Sequence, residues 1–408
     1  MTFRAARSKN WLRLAIIGCV LIAVFVYWRK LPASGAPPKP QLAPKWTLTV
    51  SGHVVAPTAL SDDGTLYAAT EDGWLYAIGA GGRMLWKHEI GPTVAAPVLG
   101  DDGTVYVTNK RQQVYAISPD GTEKWLAGGG PYANKNSVWR AGALDGVFFY
   151  TSWRGAARAF SVTSGNVKWN GDDGVASGGT ASISPSGTVL YPGNGRIDAV
   201  DYLGKNVWRY PAMGTPYVEA VMHNQGRAPD GGFWLDSPMA VNSDGTIYAA
   251  AGHERLAALN ANGTLKWEFI ARGSGRCVES PVIAADGTVY FGCEDGTLFA
   301  LNPDGTKKWT VQTGSNFTAG PLLADDGTIF LANQSGILLV SSQGRLLSRV
   351  SHGPLAVSSM TLGPDGTLYI GYQTGTIEAY SMSHGGLMRS AWPKFQHDSR
   401  NTGRAAAQ

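Results

Sequence analysis

The sequence predicts an all-β protein, an eight-bladed β-propeller with four-stranded blades. Three observations support this prediction: a unit recurs about every 40 residues, each unit holds four short apolar runs separated by turns, and most units end in tryptophan. The clearest copy is SPVIAADGTVYFGCEDGTLFALNPDGTKKW, from Ser280 to Trp309. A fixed period with several short strands in each period is typical of propeller blades.

The glycine that opens the second strand of each unit gives the number of blades. It recurs at eight positions, Gly64, Gly103, Gly146, Gly187, Gly245, Gly287, Gly327 and Gly366. Asp-Gly between apolar runs indicates a hairpin, because glycine tolerates positive φ and aspartate hydrogen-bonds its own backbone. We therefore interpret the repeated aspartates as turn residues and not as calcium ligands.

The two ends of the chain are expected to close the ring together. The segment from Pro44 to Val50 resembles the outer-strand ending at Lys308 and Trp309, whereas the last unit keeps its inner strands and has only an altered ending at Trp392. An N-terminal strand that completes the last blade would hide sheet edges that otherwise pair with other chains.

Charge separates the N-terminus from the rest of the chain. Residues 1–30 contain six basic residues and no acidic ones, and the remainder contains 28 basic and 30 acidic residues. A nucleic-acid-binding domain would be strongly basic. The composition therefore argues against a nucleic-acid partner.

Residues 14–28 form an uninterrupted apolar run behind four positive charges. The run is short for a bilayer core, but the two residues before Arg13 can extend it if that side chain reaches the membrane surface. We expect one N-terminal transmembrane helix within residues 1–30, a proline-rich linker over 31–43, the propeller over 44–403 and a tail over 404–408. The charge bias places the propeller outside the cytoplasmic membrane, in the periplasm. The alternative is secretion after cleavage of a signal peptide.

Cys277 and Cys293 lie symmetrically about a hairpin whose turn is centred on Ala285. Residues directly opposite in an antiparallel pair have Cβ atoms ~4.5–5.5 Å apart, which is near the separation that a disulfide needs. Export favours oxidation of such a pair, and two buried free thiols are the alternative.

The ending of the clearest unit resembles a known repeat. Ala300 to Trp309, ALNPDGTKKW, resembles the tryptophan-docking motif of the pyrroloquinoline-quinone-like (PQQ-like) propeller superfamily, and the segment from Trp392 to Gly403 is similar to one common in its exported members. The resemblance implies tryptophans that pack between neighbouring blades. They would be Trp86, Trp125, Trp169, Trp208, Trp267 and Trp309. Blade 7 departs from the motif, with Leu347 where tryptophan is expected.

The superfamily contains enzymes and non-catalytic propellers. The resemblance to quinoprotein dehydrogenases would imply a quinone, a calcium ion, an aspartate base and typically a vicinal disulfide, but this sequence has no adjacent cysteines. The resemblance to the non-catalytic branch, which includes the scaffold of outer-membrane protein assembly, implies binding without a cofactor. We expect a membrane-anchored envelope scaffold that binds a protein or an anionic glycan, with no catalytic or metal residues. A quinone-dependent dehydrogenase is the alternative.

The binding face is expected at the end of the ring opposite the Asp-Gly turns. Second turns and interblade connections share this end and vary in sequence, which is typical of the binding face of a repeat array. Two connections, 126–142 and 209–236, are long. The candidate residues are Lys110, Arg111, Arg140, Trp153, Arg154, Arg196, His223, Arg227, Trp234 and Arg255, with Lys135 and His253 beside them. They predict a basic arc for an acidic partner, and ordinary solvated loop charge is the alternative.

Overall fold

The computed structural model describes residues 44–54, 56–128, 139–140, 146–152, 157–171, 180–193, 196–210, 239–250, 254–277, 280–333, 336–350, 360–382 and 385–405. Every element described belongs to the unit Leu42–Gln408. In these ranges no helix is long and apolar enough to cross a membrane. The predicted anchor and linker, residues 1–43, lie outside them.

The described strands form eight four-stranded antiparallel sheets, which confirms the predicted propeller. Blade 1 contains β2 (Ala59–Leu60), β3 (Leu66–Ala69), β4 (Trp74–Ile78) and β5 (Met84–Glu89). Blade 2 contains β6 (Val98–Leu99), β7 (Val105–Thr108), β8 (Gln113–Ile117) and β9 (Glu123–Gly128). Blade 3 contains β10 (Trp139–Arg140), β11 (Val147–Ser152), β12 (Arg158–Ser161) and β13 (Val167–Asn170). Blade 4 contains β14 (Ser182–Ile183), β15 (Val189–Gly193), β16 (Arg196–Val200) and β17 (Asn206–Tyr210).

The second half of the ring repeats this arrangement. Blade 5 contains β18 (Ala240–Val241), β19 (Ile247–Ala250), β20 (Arg255–Leu259) and β21 (Leu265–Ile270). Blade 6 contains β22 (Val282–Ile283), β23 (Val289–Gly292), β24 (Thr297–Leu301) and β25 (Lys307–Gln312). Blade 7 contains β26 (Phe317–Leu323), β27 (Ile329–Asn333), β28 (Gly336–Val340) and β29 (Leu346–Val350). Blade 8 contains β30 (Thr361–Leu362), β31 (Thr367–Gly371) and β32 (Thr376–Ser381), with β1 (Pro44–Thr49) as its outer strand.

Burial changes from the inner to the outer strand of a blade. In blade 1 the inner strands β2 and β3 are buried on both faces, whereas β5 alternates between exposed and half-buried residues. The buried faces pack against the neighbouring blades, as Leu66 of blade 1 does in one cluster with Ile377 of blade 8. Each fully buried aliphatic side chain of this kind contributes ~1.5–3 kcal/mol, so stability comes mainly from blade-to-blade packing.

The first turn of most blades is held by its aspartate. Asp63 Oδ1 accepts a hydrogen bond from the Thr65 amide at 2.9 Å, and the glycine between them has φ 83°. Five other first turns repeat the bond at 2.8–3.0 Å. In blade 2 the aspartate also accepts from Lys124 of its own outer strand at 2.8 Å. These contacts agree with the interpretation of the aspartates as turn residues.

Strand β1 pairs with β32 across the ends of the chain, so the predicted ring closure is confirmed. Trp46 lies opposite Ala379 in this pair. The N-terminal strand thus supplies the outer strand of blade 8 and covers the edge of β32.

Seven tryptophans join one blade to the next in the same way. The indole Nε1 of Trp86 donates to the Pro119 carbonyl at 2.7 Å, in the third turn of blade 2. A Cβ atom added at Gly121 in that turn would lie 2.9 Å from the indole, so only glycine lets the ring approach. The same bond, at 2.7–3.1 Å, is made by Trp46, Trp86, Trp125, Trp169, Trp208, Trp267 and Trp309.

Blade 7 lacks the tryptophan, but the residue in its place is Ser348 and not Leu347 as expected from the sequence. Ser348 lies opposite Leu339, as Trp309 lies opposite Ala300 one blade earlier. The physical reason lies in the next blade. The third and fourth strands of blade 8 come from opposite ends of the chain, so no third turn joins them to receive an indole.

Trp392 is not an altered outer-strand ending, which corrects the sequence expectation. It is fully buried and belongs to the axial segment, residues 385–405, which runs along the innermost strands. Five inner-strand amides donate to backbone carbonyls of this segment at 2.8–3.0 Å: Leu60, Leu99, Ile183, Ile283 and Leu323. They belong to blades 1, 2, 4, 6 and 7 and directly precede the first turns. The segment therefore connects the inner strands at the Asp-Gly end of the ring.

Two charged side chains organise the axial segment. The buried Lys394 ammonium donates to the carbonyls of Phe395 and Asp398, each at 2.9 Å, and to Asn401 Oδ1 at 2.6 Å. The carboxylate of Asp398 accepts from the amide and hydroxyl of Thr402 at 3.0 and 2.7 Å. Burial lowers the pKa of Lys394 to about 7, although the carboxylate of Asp398 acts in the opposite direction.

Cys277 and Cys293 form a disulfide in blade 6, with Cα atoms 3.9 Å apart. The sequence suggested one continuous hairpin centred on Ala285 with the two cysteines directly opposite each other, and the observed strand pairing differs from this. Val282 lies opposite Tyr290, a register centred one residue later. The register therefore shifts between this pair and the cysteines.

Deletion of residues 44–50 should cause aggregation, because it would leave β32 with an unpaired edge and remove the indole of Trp46 from blade 1. We expect a lower melting temperature and oligomers in size-exclusion chromatography. A deletion variant as soluble and as heat-stable as the parent would show that closure by β1 does not stabilise the ring.

Asp398→Asn should destabilise the ring by about 1–2 kcal/mol at neutral pH. Desolvation raises the pKa of Asp398, but His397 and the hydrogen bonds from Thr402 outweigh it and lower the pKa to about 2. Because the folded-state pKa is below the unfolded value, this stabilisation is present above about pH 4 and is lost as the pH falls towards 2. The side chain is 30% exposed, which limits the magnitude.

The test compares urea unfolding of parent and variant at pH 7 and pH 3. The difference between them should shrink at pH 3, and the exposed turn variant Asp62→Asn should show little change at either pH. A difference independent of pH would show that the carboxylate charge does not stabilise the axial segment.

Candidate protein-binding face

The structure describes part of the predicted basic arc. The side chains of Lys110, Arg111, Arg196 and Arg255 are described, and Arg140 is described only as a backbone position in β10. The remaining candidates lie outside the described residues: Trp153, Arg154, His223, Arg227, Trp234, Lys135 and His253. The long connections that carry most of them are therefore not part of the site built below.

In blade 2, the second turn presents one paired and one exposed cation. Lys110 Nζ lies 3.3 Å from Glu71 Oε1 in the second turn of blade 1, so this cation of the arc is paired with a carboxylate of the neighbouring blade. Arg111 is exposed. Asn109 Oδ1 accepts from the Arg111 amide at 2.9 Å and fixes the turn.

In blade 5, Arg255 pairs with Glu268 of the adjacent outer strand, with Nη1 and Oε1 3.2 Å apart. Tyr210 of blade 4 is close to this pair. Burial raises the pKa of the Tyr210 phenol, and the carboxylate of Glu268 acts in the same direction. Arg255 thus carries a compensated charge at the junction between blades 4 and 5.

In blade 4, two arginines share one buried carboxylate, and we call Arg196, Asp198 and Arg209 the two-arginine cluster. Arg196 Nε lies 2.8 Å from Asp198 Oδ2, and Arg209 Nε contacts Asp198 Oδ1. The Asp198 side chain has no exposed surface, whereas the arginine side chains are 17% and 27% exposed. The cluster carries one net positive charge.

Strand alternation places the two-arginine cluster between blades 3 and 4. Ile197 and Ala199 of β16 pack in a core cluster with residues of blade 5. Val200, two residues after Asp198, packs instead with residues of blade 3 such as Phe149. Because side chains two apart share a face of a strand, Asp198 also faces blade 3.

Sequence reasoning identified Arg196 and missed the other two members. Arg209 had been assigned to the start of the long connection 209–236, but β17 extends to Tyr210. Asp198 lies directly opposite Arg209 in the ladder between β16 and β17. The opposite charges at these two positions were the available signal, and the register needed to connect them came only from the structure.

A calcium-bound quinone would need a cluster of oxygen ligands. Among the described residues, no group of three or more His, Cys, Asp or Glu side chains is arranged to hold a metal ion. The disulfide present joins cysteines 16 residues apart, not adjacent ones. The described residues thus contain neither a metal-binding cluster nor a vicinal disulfide of the kind found in the quinoprotein dehydrogenases.

The family of the chain follows from the repeat itself. The family model described as outer membrane protein assembly factor BamB matches residues 27–184 and 193–347. The chain belongs to the BamB family. This membership and the observed blades confirm the PQQ-like propeller superfamily that the docking motif indicated.

Solved structures similar to the chain include both branches of the superfamily. BamB from Moraxella catarrhalis is 17% identical, with a TM-score of 0.66 over 84% of this chain and 100% of that chain. A quinohemoprotein alcohol dehydrogenase from Pseudomonas putida HK5 is 14% identical, with a TM-score of 0.66 over 87% of this chain and 78% of that chain. The computationally designed Ika8 protein has a TM-score of 0.63 at 13% identity, over 82% and 98% of the two chains. No curated protein sequence matches the chain. At these identities the structures show the fold alone.

Arg196→Glu should destabilise the protein by about 3 kcal/mol, because it places a second carboxylate beside the buried Asp198. The matched control is Arg111→Glu, the same charge reversal at an exposed position of the same face, which should leave stability almost unchanged. Urea unfolding of both variants gives the comparison. Equal unfolding midpoints would show that Arg196 does not compensate the buried charge.

Proposed function

We propose that this BamB-family chain is a non-catalytic envelope scaffold that binds a partner protein through the end of the ring that carries the second turns. The observation that carries the proposal is the division between the two ends of the propeller. The axial segment binds the inner strands at the Asp-Gly end. The opposite end carries the variable turns and connections, and the two-arginine cluster lies towards it.

Two features of this end favour an acidic partner. Arg111 is exposed, and the two-arginine cluster retains a positive charge on half-buried guanidiniums. Charged groups on a binding rim increase the rate of association and select partners of opposite charge. An acidic protein surface fits this face, and an anionic glycan is the other partner that the charge would accept.

The proposed location is the cytoplasmic membrane, with the apolar run 14–28 as a single-pass anchor and the propeller in the periplasm. The support comes from the sequence, because four positive charges precede this run and no acidic residue occurs in residues 1–30. Secretion after signal cleavage is the alternative, and in both cases the propeller is exported.

The fold leaves a second candidate, a quinone-dependent dehydrogenase, because quinohemoprotein alcohol dehydrogenases share this architecture. The BamB family match and the donor set described above favour the scaffold. A quinone and a calcium ion would supply alcohol oxidation if the chain bound them.

Site-specific photo-crosslinking in envelope membranes tests the scaffold. A crosslinker at Arg111, on the second-turn end, should capture a discrete partner, while one at Gln343, an exposed third-turn residue at the opposite end, should not. Identification of the captured protein by mass spectrometry and loss of capture at high salt are the expected results.

Capture from both positions alike would contradict a binding face at the second-turn end. Alcohol-dependent dye reduction by the purified protein after addition of pyrroloquinoline quinone and calcium would favour the dehydrogenase function over the scaffold function. We expect no such reduction.

A further inference from the structure

The two-arginine cluster uses only part of its hydrogen-bonding capacity. Each guanidinium donates its Nε–H to Asp198. Among the described residues the Nη groups of Arg196 and Arg209 have no hydrogen-bond partner, and both side chains keep contact with solvent. The cluster therefore holds two planar donor groups in place, and within the described part of the chain their outer donors stay available.

Such an arrangement is suited to a carboxylate ligand. Guanidinium groups bind carboxylates through two parallel hydrogen bonds, and this geometry is lost with a lysine. Burying Asp198 is unfavourable unless it is compensated, and one arginine would compensate its charge. The second arginine adds the positive charge that a further anion requires.

The strand that carries Arg209 has an open edge. Strand β17 is the outermost strand of blade 4, and no described strand pairs with its outer side. Val207, two residues before Arg209 and at the register shift of β17, is 54% exposed. An extended segment added to β17 would place side chains two residues apart over these two positions.

We propose that the two-arginine cluster and the edge of β17 form a binding site for an extended acidic polypeptide segment, in which a carboxylate binds Arg209 and Arg196 and an apolar side chain covers Val207. This site rests on the proposed scaffold function and specifies the chemistry of the partner. A uronic-acid glycan offers the same carboxylate, but it lacks the regular amides and carbonyls that pair with an open strand edge. The polypeptide is therefore the ligand that fits both parts of the site.

Blade 7 provides a matched control. Arg349 of β29 occupies the position of Arg209, because it lies opposite Leu338 as Arg209 lies opposite Asp198. Its Nη2 donates to the Thr313 carbonyl at 2.8 Å, and Leu338 supplies no carboxylate. Removing Arg349 changes the charge of an equivalent outer strand and leaves the two-arginine cluster intact.

The test is fluorescence anisotropy of the full-length protein in detergent, at low salt, with a labelled peptide of sequence Ser-Thr-Val-Thr-Glu-Thr-Ser. Binding should weaken about tenfold when glutamine replaces the glutamate of the peptide, and by a similar factor in Arg209→Ala. Arg209→Lys keeps the charge and should still weaken binding several-fold, whereas Arg349→Ala should bind like the parent. Thermal melts of each variant show whether it is folded.

Asp198→Asn tests whether binding depends on the fixed geometry of the two guanidiniums or only on their positive charge. This variant gains one positive charge, so a charge-only site would bind the peptide more tightly. The proposed site should bind it more weakly, since Asp198 no longer fixes both guanidiniums. If Asp198→Asn does not fold, Arg209→Lys decides the same question.

Unchanged binding in Arg209→Lys, or equal loss in Arg349→Ala, would overturn the proposed site. Binding of oligogalacturonate that matches the peptide and depends equally on Arg209 would overturn the assignment to a polypeptide. These results are distinct from failure of the scaffold function, which would appear as no face-dependent crosslinking by the parent protein.

Discussion

Every blade of this protein depends on covering the edges of its sheet. A four-stranded sheet with unpaired backbone groups at both sides is prone to pair with other chains, and the ring protects the inner edges by bringing them together at the axis. The indole-to-turn contacts then fix each blade against the next, with glycine required where the ring of Trp86 meets Gly121. The junction between blades 7 and 8 lacks this contact because blade 8 is assembled from the two ends of the chain.

The axial segment adds a second connection between blades. It follows β32 in the chain and bonds to inner strands of five blades, so the end of the chain reinforces the ring that its beginning closes. A buried and a half-buried ionic group hold it: Lys394 donates to three oxygen acceptors, and Asp398 accepts from Thr402. This segment binds at the Asp-Gly end, so the contacts that join the inner strands lie at that end. The loops that vary in sequence lie at the opposite end of the propeller.

The sequence predicted the features that repeat. Eight glycines at similar intervals gave the blade count, and the likeness between Pro44–Val50 and other outer strands gave the closure, because both are local patterns that recur in each unit. Features that occur only once in the chain were harder to predict from the sequence. The position of Ser348 requires the bulge-containing register of β28 and β29. The role of Trp392 requires contacts with strands that are distant in the sequence.

The same distinction explains what sequence reasoning found of the candidate site. It located arginines on second-turn loops from their charge, but charge alone does not distinguish Arg255, compensated by Glu268, from Arg196, which shares Asp198 with Arg209. That difference arises from pairing across two strands.

A BamB-family member, a quinohemoprotein dehydrogenase and a designed protein all share this ring at low sequence identity. Since the fold is compatible with such different roles, function must be argued from residues that depart from the repeat. The two-arginine cluster is such a departure, because it places a buried carboxylate where the equivalent position of blade 5 is Ala257, opposite Glu268. The equivalent positions of blade 5 do without a buried carboxylate, and this departure is the basis of the proposed carboxylate-binding site.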